Sequence, residues 1–177
     1  LKRRAAGISA GPMSDNQRAM VLYRSILADA PNDVETIREF AEACRAENME
    51  LELLSLLQQE LGLCEDGERR LDLRLEIAKL IGGIESKGGR LKILKENLEE
   101  RPGHSQSIEA LVAVHEDSEL YVELADLLSA QATLLEEHSK DERAADLWLK
   151  VANLAEQKLN DRERALGGHR KVQKLVG

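Results

Sequence analysis

The feature that most narrows the folds open to this chain is a spacing. Four pairs of a large apolar residue followed by a small one, Phe40-Ala41, Ile77-Ala78, Leu111-Val112 and Val151-Ala152, recur at intervals of 37, 34 and 40. A second marker follows each pair, at Leu57, Leu94, Leu128 and His169, with offsets of 17, 17, 17 and 18. Tyr23, at an offset of 34 ahead of Leu57, opens that second series. The outer interval varies while the inner one holds. Two antiparallel helices locked in one packing register behave this way, with the turns absorbing differences in length.

Composition sets the class of these elements. Hydrophobic residues make up 42% of the chain, yet the only aromatics are Tyr23, Phe40, Tyr121 and Trp148. Leu, Ala and Glu predominate, and the β-branched and aromatic residues that favour strands are scarce. The chain reads as all-α. Charged residues reach 33% with a net charge of −8, both signs mixed along nearly every segment. Such a chain repels phosphate backbones, so no nucleic-acid partner is expected. No run approaches the roughly 18 apolar residues of a membrane span. The basic start Leu1-Lys2-Arg3-Arg4 is not followed by the apolar stretch of a signal peptide, which points to the cytoplasm. The chain does not begin with Met, so a preceding targeting segment, and with it the periplasm, stays open.

The pattern predicts nine helices, at 14–29, 32–47, 49–61, 67–84, 88–100, 104–116, 118–136, 140–158 and 161–175. Ser14 with Gln17 makes a capping box, and Asp66, Ser118, Ser139 and Asp161 stand where N-caps are wanted. Residues 1–13, with Gly7, Gly11 and Pro12, read as a flexible leader or linker. Residues 14–177 then form one repeat domain of about four helix pairs plus an opening helix. Pro31 and Pro102 stand two repeats apart, with the turn-rich Cys64-Glu65-Asp66-Gly67 between them.

This arrangement resembles the tetratricopeptide repeat. The leading bulky position of that family's pattern is held by Ile37, Arg74, Ile108 and Trp148, and its Tyr position by Cys44, Ile81, His115 and Ala155. The Ala position of the second helix is Ala19, Leu53, Arg90, Leu124 and Ala165, and Pro31 and Pro102 match its proline. The likeness covers about residues 14 to 177. It implies a right-handed α-solenoid of antiparallel helix pairs that binds proteins and has no catalytic role. The chain opens on a second-type helix and stops near the start of a further repeat, as a segment of a longer, bacterial-style array would.

Motifs with chemical meaning lose it in this context. Gly7-Ile8-Ser9-Ala10-Gly11 has nucleophile-elbow spacing, but that turn needs a strand before it and a sheet beneath. Gly83 and Gly88 have P-loop spacing, yet Gly89-Arg90 stands in place of the Lys and hydroxyl that hold phosphate and Mg²⁺. His115-Glu116 begins a zinc-protease motif, but position 119 is Glu rather than His; His115 and His169 fall on packing positions instead. The acids of Glu99-Glu100 and Glu136-Glu137 read as solvated helix ends. Cys44 and Cys64 lie roughly 15 Å apart on the helical rise, beyond disulfide reach, and are expected as free thiols. No catalytic residue, cofactor or metal is expected.

In the family the first helices of successive pairs line a concave groove that holds the partner. Carried over position by position, the groove comprises Glu35, Arg38, Glu39, Glu42, Arg45, Glu76, Lys79, Glu109, Lys150 and Asn153, with Asp72, Leu75, Gly82, Gln106, Ala110, Ala113, Glu116, Asp146, Leu149 and Glu156. Nine acids face four bases, so a basic or mixed-charge peptide or helix is the partner expected. A clamp for a C-terminal carboxylate is disfavoured, because Glu42 stands where an asparagine would be needed. The alternative role is self-assembly, with terminal helices stacking between chains: Tyr23, Ile26 and Leu27 at one end and Leu166, Val172 and Leu175 at the other supply apolar surface.

Arg74 and Arg90 sit on packing positions and must send their charged heads to water, which predicts a loosened second repeat. Amide hydrogen exchange should be faster over residues 82–90 than in the other turns within helix pairs. Equal protection across those turns would count against it.

Overall fold

The computed structural model describes residues 16–84 and 87–177. The expected leader, the glycine-flanked Ser9 and the Ser14 half of the first capping box lie outside the described residues. Two compact units divide between residues 86 and 87. The first holds α1 (Asn16–Asp29), α2 (Val34–Ala46), α3 (Glu50–Leu63) and α4 (Gly67–Ile84). The second holds α5 (Lys87–Glu100), α6 (Ser105–Glu116), α7 (Tyr121–Glu137), α8 (Asp141–Leu154), a π-helical turn (Ala155–Leu159) and α9 (Arg162–Val176). No strand occurs among the described residues. The division falls between the two helices of the second repeat, where Arg74 and Arg90 are each only partly buried.

Within each unit a helix packs on those next to it in sequence, α1 to α4 in the first and α5 to α9 in the second. The apolar markers form the contacts. Phe40, Ile77, Leu111 and Val151 are at most 2% exposed, as are Leu57, Leu94 and Leu128. Tyr23 stacks on Phe40 with ring centroids 5.5 Å apart, fixing α1 against α2, and the Arg24 guanidinium lies over the outer face of that pair, 5.7 Å from the Phe40 ring.

The fourth marker is corrected. His169 is exposed, and the buried residue is its neighbour Gly168. Counted from Val151 to Gly168, the last inner interval matches the other three, so all four pairs share one offset. Glycine serves there because α9 runs against α8: a Cβ on Gly168 would stand 3.0 Å from both the Ala152 Cβ and the Trp148 carbonyl oxygen. A glycine required by close helix approach carries no apolar side chain to mark it in the sequence.

The turns also differ in part from expectation. Asp66 and Asp161 cap as expected, accepting from the backbone N–H of Arg69 (3.1 Å) and Arg164 (3.0 Å). Ser118 and Ser139 do not cap. The next helices begin at Tyr121 and Asp141, and the preceding ones close instead through backbone bonds of 2.9 Å from Leu120 N–H to the His115 carbonyl and from Lys140 N–H to the Leu135 carbonyl. Met49 and Cys44 repeat the closure after α2. It requires a left-handed residue just before the donor, and Asn48, Glu119 and Ser139 hold φ of 56°, 56° and 54°. Ser118 instead donates its hydroxyl to the Val114 carbonyl. The single helix expected over 140–158 ends as α-helix at Leu154 and widens into the π turn. Asp33, not singled out in the sequence, caps α2 through Thr36.

Gly103 (φ 72°) makes the turn from α5 to α6, and a Cβ there would lie 2.7 Å from the Leu135 side chain. The turn is fastened by later helices: its N–H donates to Gln131 at 2.8 Å and its carbonyl accepts from Arg143. Buried Asn97 and Ser107 bond to each other at 2.9 Å, joining α5 to α6. Deleting core volume with Leu111→Ala should cost about 2–5 kcal/mol of unfolding free energy by denaturant titration. A loss below about 0.5 kcal/mol, the scale of a surface change, would overturn the packing register.

Candidate partner-binding grooves

The first unit carries a charged recess of about 430 Å³ lined by Arg38, Ala41, Glu42, Arg45, Glu60, Asp66 and Arg69. Its organising residue is one the groove pattern did not include. Glu60, on the second-type helix α3, is 1% exposed. Arg38 reaches its Oε1 at 2.6 Å, and Arg69 binds both its oxygens at 3.0 Å. Burial pushes the Glu60 carboxyl up, but the bonds from Arg69 and Arg38 outweigh it and hold the group below the usual carboxylate range. A signal for Glu60 was present: it extends the apolar stripe of Leu53, Leu56 and Leu57 by one helical step, and a carboxylate on such a face requires a partner.

Of the groove residues expected in this unit, Arg38, Glu42 and Arg45 line the recess, while Glu35, Glu39, Glu76 and Lys79 do not. Arg45 grips Glu76 through two hydrogen bonds, 2.6 and 2.8 Å, and also meets Glu42 at 2.6 Å. Pairing thus engages part of the expected groove charge within the unit itself. Reversing Glu42 and Glu76 would strip Arg45 of its carboxylates as well as changing the surface, so a reversal confined to the surface must be made elsewhere. Glu35 and Lys79 are exposed, and Glu39 is half-buried.

The second unit presents two adjoining recesses. One, about 360 Å³, lies between α6 and α8 and includes Glu109, Arg143, Asp146, Leu149, Lys150 and Asn153. The other, about 270 Å³, has Val112, Leu124, Leu128 and Leu154 with Glu116 and Lys158. Lys150 and Asn153 border both. Leu149 is 42% exposed, a large apolar side chain on an otherwise polar rim. The structure thus brings Glu109, Lys150 and Asn153 together and adds Arg143, which the groove pattern omits because it precedes the first groove position of α8. The π turn places Lys158 over the Tyr121 ring at 5.3 Å.

Glu136 is more than a solvated helix end. Its carboxylate accepts from the Trp148 indole N–H and from Lys171, whose ammonium also lies 5.3 Å from the Trp148 ring centre. Burial pushes that carboxyl up; the bonds from Lys171 and Trp148 prevail and bring it below the usual range.

The cysteines are free. Burial raises the Cys44 thiol to about 11, which keeps it protonated and unreactive at neutral pH. His115 is buried, with Nδ1 2.7 Å from the Leu111 carbonyl oxygen. Among the described residues no three His, Cys, Asp or Glu side chains come together to hold a metal ion. No described helix is long and apolar enough to cross a membrane.

Comparison with solved structures settles the fold. YrrB, described as a TPR protein with an unusual peptide-binding site, superposes over 99% of this chain and 84% of its own, with TM-score 0.53 and 15% identity. A MamA structure matches over 97% and 88%, with TM-score 0.55 and 13% identity. MamA from Desulfovibrio magneticus RS-1 matches over 99% and 93%, with TM-score 0.52 and 14% identity. The fold is that of the tetratricopeptide repeat. No family model matches the sequence, and no curated protein does.

The Glu60 triad predicts an acid-sensitive contribution to stability. A carboxyl whose folded pKa is depressed stabilises the fold above its unfolded value, about 4.3, and loses that contribution as pH falls through the folded value. Glu60→Gln should cost about 1–3 kcal/mol at neutral pH, below the range for a fully buried pair because both arginines reach water. It should also flatten the decline in stability below about pH 4.3. Thermal melts of both proteins across pH 3–7 make the comparison, and parallel curves would refute it.

Proposed function

We propose that this chain is a protein-interaction scaffold with no chemistry of its own, and that the α6–α8 groove of its second unit seats a peptide or helix of mixed charge. The carrying observation is that two recesses meet at Lys150 and Asn153 beside the half-exposed Leu149. Glu109 of α6 and Arg143, Asp146 and Lys150 of α8 bring charges of both signs to it, and Asn153 carries both a donor and an acceptor for a peptide backbone. An apolar anchor beside such a rim is how small grooves hold extended or helical segments. The YrrB description, a TPR protein with a peptide-binding site, supports this class of partner. The first-unit recess is a lesser candidate, since Glu60, Glu42 and Glu76 already hold its arginines.

Self-assembly is the second reading. Of the six residues expected to serve it, Tyr23 is buried, Ile26, Leu27, Val172 and Leu175 are half-buried, and only Leu166 is exposed, at 56%; Val21 at 62% on α1 and Val176 at 60% on α9 supply the remaining exposed apolar surface. Concentration-dependent mass in light scattering, abolished by Val21→Asp or Leu166→Asp, would favour it.

Peptides selected from a display library on the immobilised protein test the groove. Leu149→Asp with Lys150→Glu should weaken their binding by about tenfold or more, roughly 1.4 kcal/mol, with unchanged helicity. Reversing Glu109 and Asp146 to lysine should slow association with basic peptides, an effect that shrinks as salt rises. Selected peptides indifferent to both double variants would remove the groove as the binding surface.

A further inference from the structure

The last described helix stands apart electrostatically. α9 carries Arg162, Arg164, Arg170, Lys171 and Lys174 against one acid, Glu163, a net of +4 in 15 residues of a chain whose net charge is −8. Its inner flank shows what such cations do. Arg164 reaches Asp126 of α7 at 2.8 Å, and Lys171 reaches Glu136 at 3.0 Å. α7 holds four acids and no Lys or Arg. One face of α9 thus already grips an acidic helix, by two cations about two turns apart. The outer face repeats the device. Arg162 and Arg170 are exposed there and, among the described residues, enter no ion pair; Lys174 is exposed at the edge of that face, one turn on from Lys171, and its charge also acts on Glu136. Leu166, 56% exposed, lies between Arg162 and Arg170. Against it opens a recess of about 440 Å³ lined by Glu156, Asn160, Arg162, Ala165, Leu166 and His169.

We infer that the outer face of α9 is a docking surface for an acidic amphipathic segment of another protein. That segment seats one apolar side chain in the recess against Leu166 and sets carboxylates against Arg162, Arg170 and Lys174. The site is separate from the α6–α8 groove and does not depend on that reading. Charge complementarity names the partner, and the α7 contact supplies the pattern on the same helix. A lipid surface suits the face less well. Its large exposed apolar residues are Leu166 and Val176, about 15 Å apart along the helix, with the polar His169 and Gln173 between them. Interfacial insertion requires a continuous apolar stripe.

The probe is a fluorescein-labelled designed helical peptide with leucines on one face and glutamates elsewhere, followed by anisotropy against the whole chain. Binding should weaken with rising salt. It should fall about tenfold or more in the triple variant Arg162→Glu, Arg170→Glu, Lys174→Glu, since several exposed pairs act together. Leu166→Ser alone should weaken it severalfold, as should replacing the peptide's leucines by serine. The groove variants Leu149→Asp and Lys150→Glu should bind the peptide normally, which keeps the two sites distinguishable. Circular dichroism guards against loss of fold. Four results would overturn the inference. They are binding within twofold in the triple variant, equal binding of the serine-substituted peptide, capture by phosphatidylserine vesicles without peptide binding, and a self-association by light scattering that the triple variant abolishes.

Discussion

Everything in this fold depends on burying one large apolar side chain of a first helix at a fixed offset from a small or apolar residue of the second-type helix that follows. Phe40 and Leu57, Leu111 and Leu128, and Val151 and Gly168 keep the same interval along the chain and are buried within their units; Ile77 and Leu94 keep it too, each buried in its own unit. That interval is a geometric constant, set by helical rise and by the reach of a short turn. A single pair cannot cover both apolar faces of its helices, so each must stack on the next within its unit, and stability becomes a sum of nearest-neighbour terms. Variation is tolerated where no such term is at stake, which is why the outer intervals differ from one repeat to the next.

Polar groups bind the stack together at the places where apolar contact cannot. The α5–α6 turn at Gly103 is held by Gln131 of α7 and Arg143 of α8, one from each of the two following repeats. Glu60 links three helices by accepting from Arg38 of α2 and Arg69 of α4. Glu136 does the same for α7, α8 and α9 through Trp148 and Lys171. Each of these acids stands on a second-type helix and answers cations or an indole from neighbouring helices. The charges near the grooves therefore have two occupations, holding the array and facing a partner. Arg45 belongs largely to the first, while Lys150 and Asn153 stand on the rim of both second-unit recesses, where the proposed partner would lie.

That division bears on function. A scaffold needs a rigid frame and a surface that can change without cost to the frame. For the proposed scaffold role the second unit offers both: a core that includes Leu111, Leu128 and Val151, and a rim at Leu149, Lys150 and Asn153 whose side chains lie outside it. The proposed docking face of α9 extends the same logic, since Arg164 and Lys171, which anchor α9 to α7, lie on a different flank from the exposed Arg162 and Arg170.

The amino-acid sequence by itself determined the all-α class, the order of the helices and the register of their packing, because these follow from apolar periodicity and from a chain-local interval. It also placed the caps at Asp66 and Asp161, where a side chain bonds a nearby backbone group of the same turn. It could not show that Gly168 rather than His169 closes the last pair, because absence of a side chain signals nothing until another helix lies against it. Ser118 and Ser139 looked like caps and were not, since backbone closure with a left-handed residue satisfied those ends first. Which groove charges are spoken for was decided only by tertiary structure. Arg45 meets Glu76 of the next repeat, and Arg38 meets Glu60 across a helix pair. Ion pairs across such separations are properties of helix placement, and composition along the chain carries no record of them.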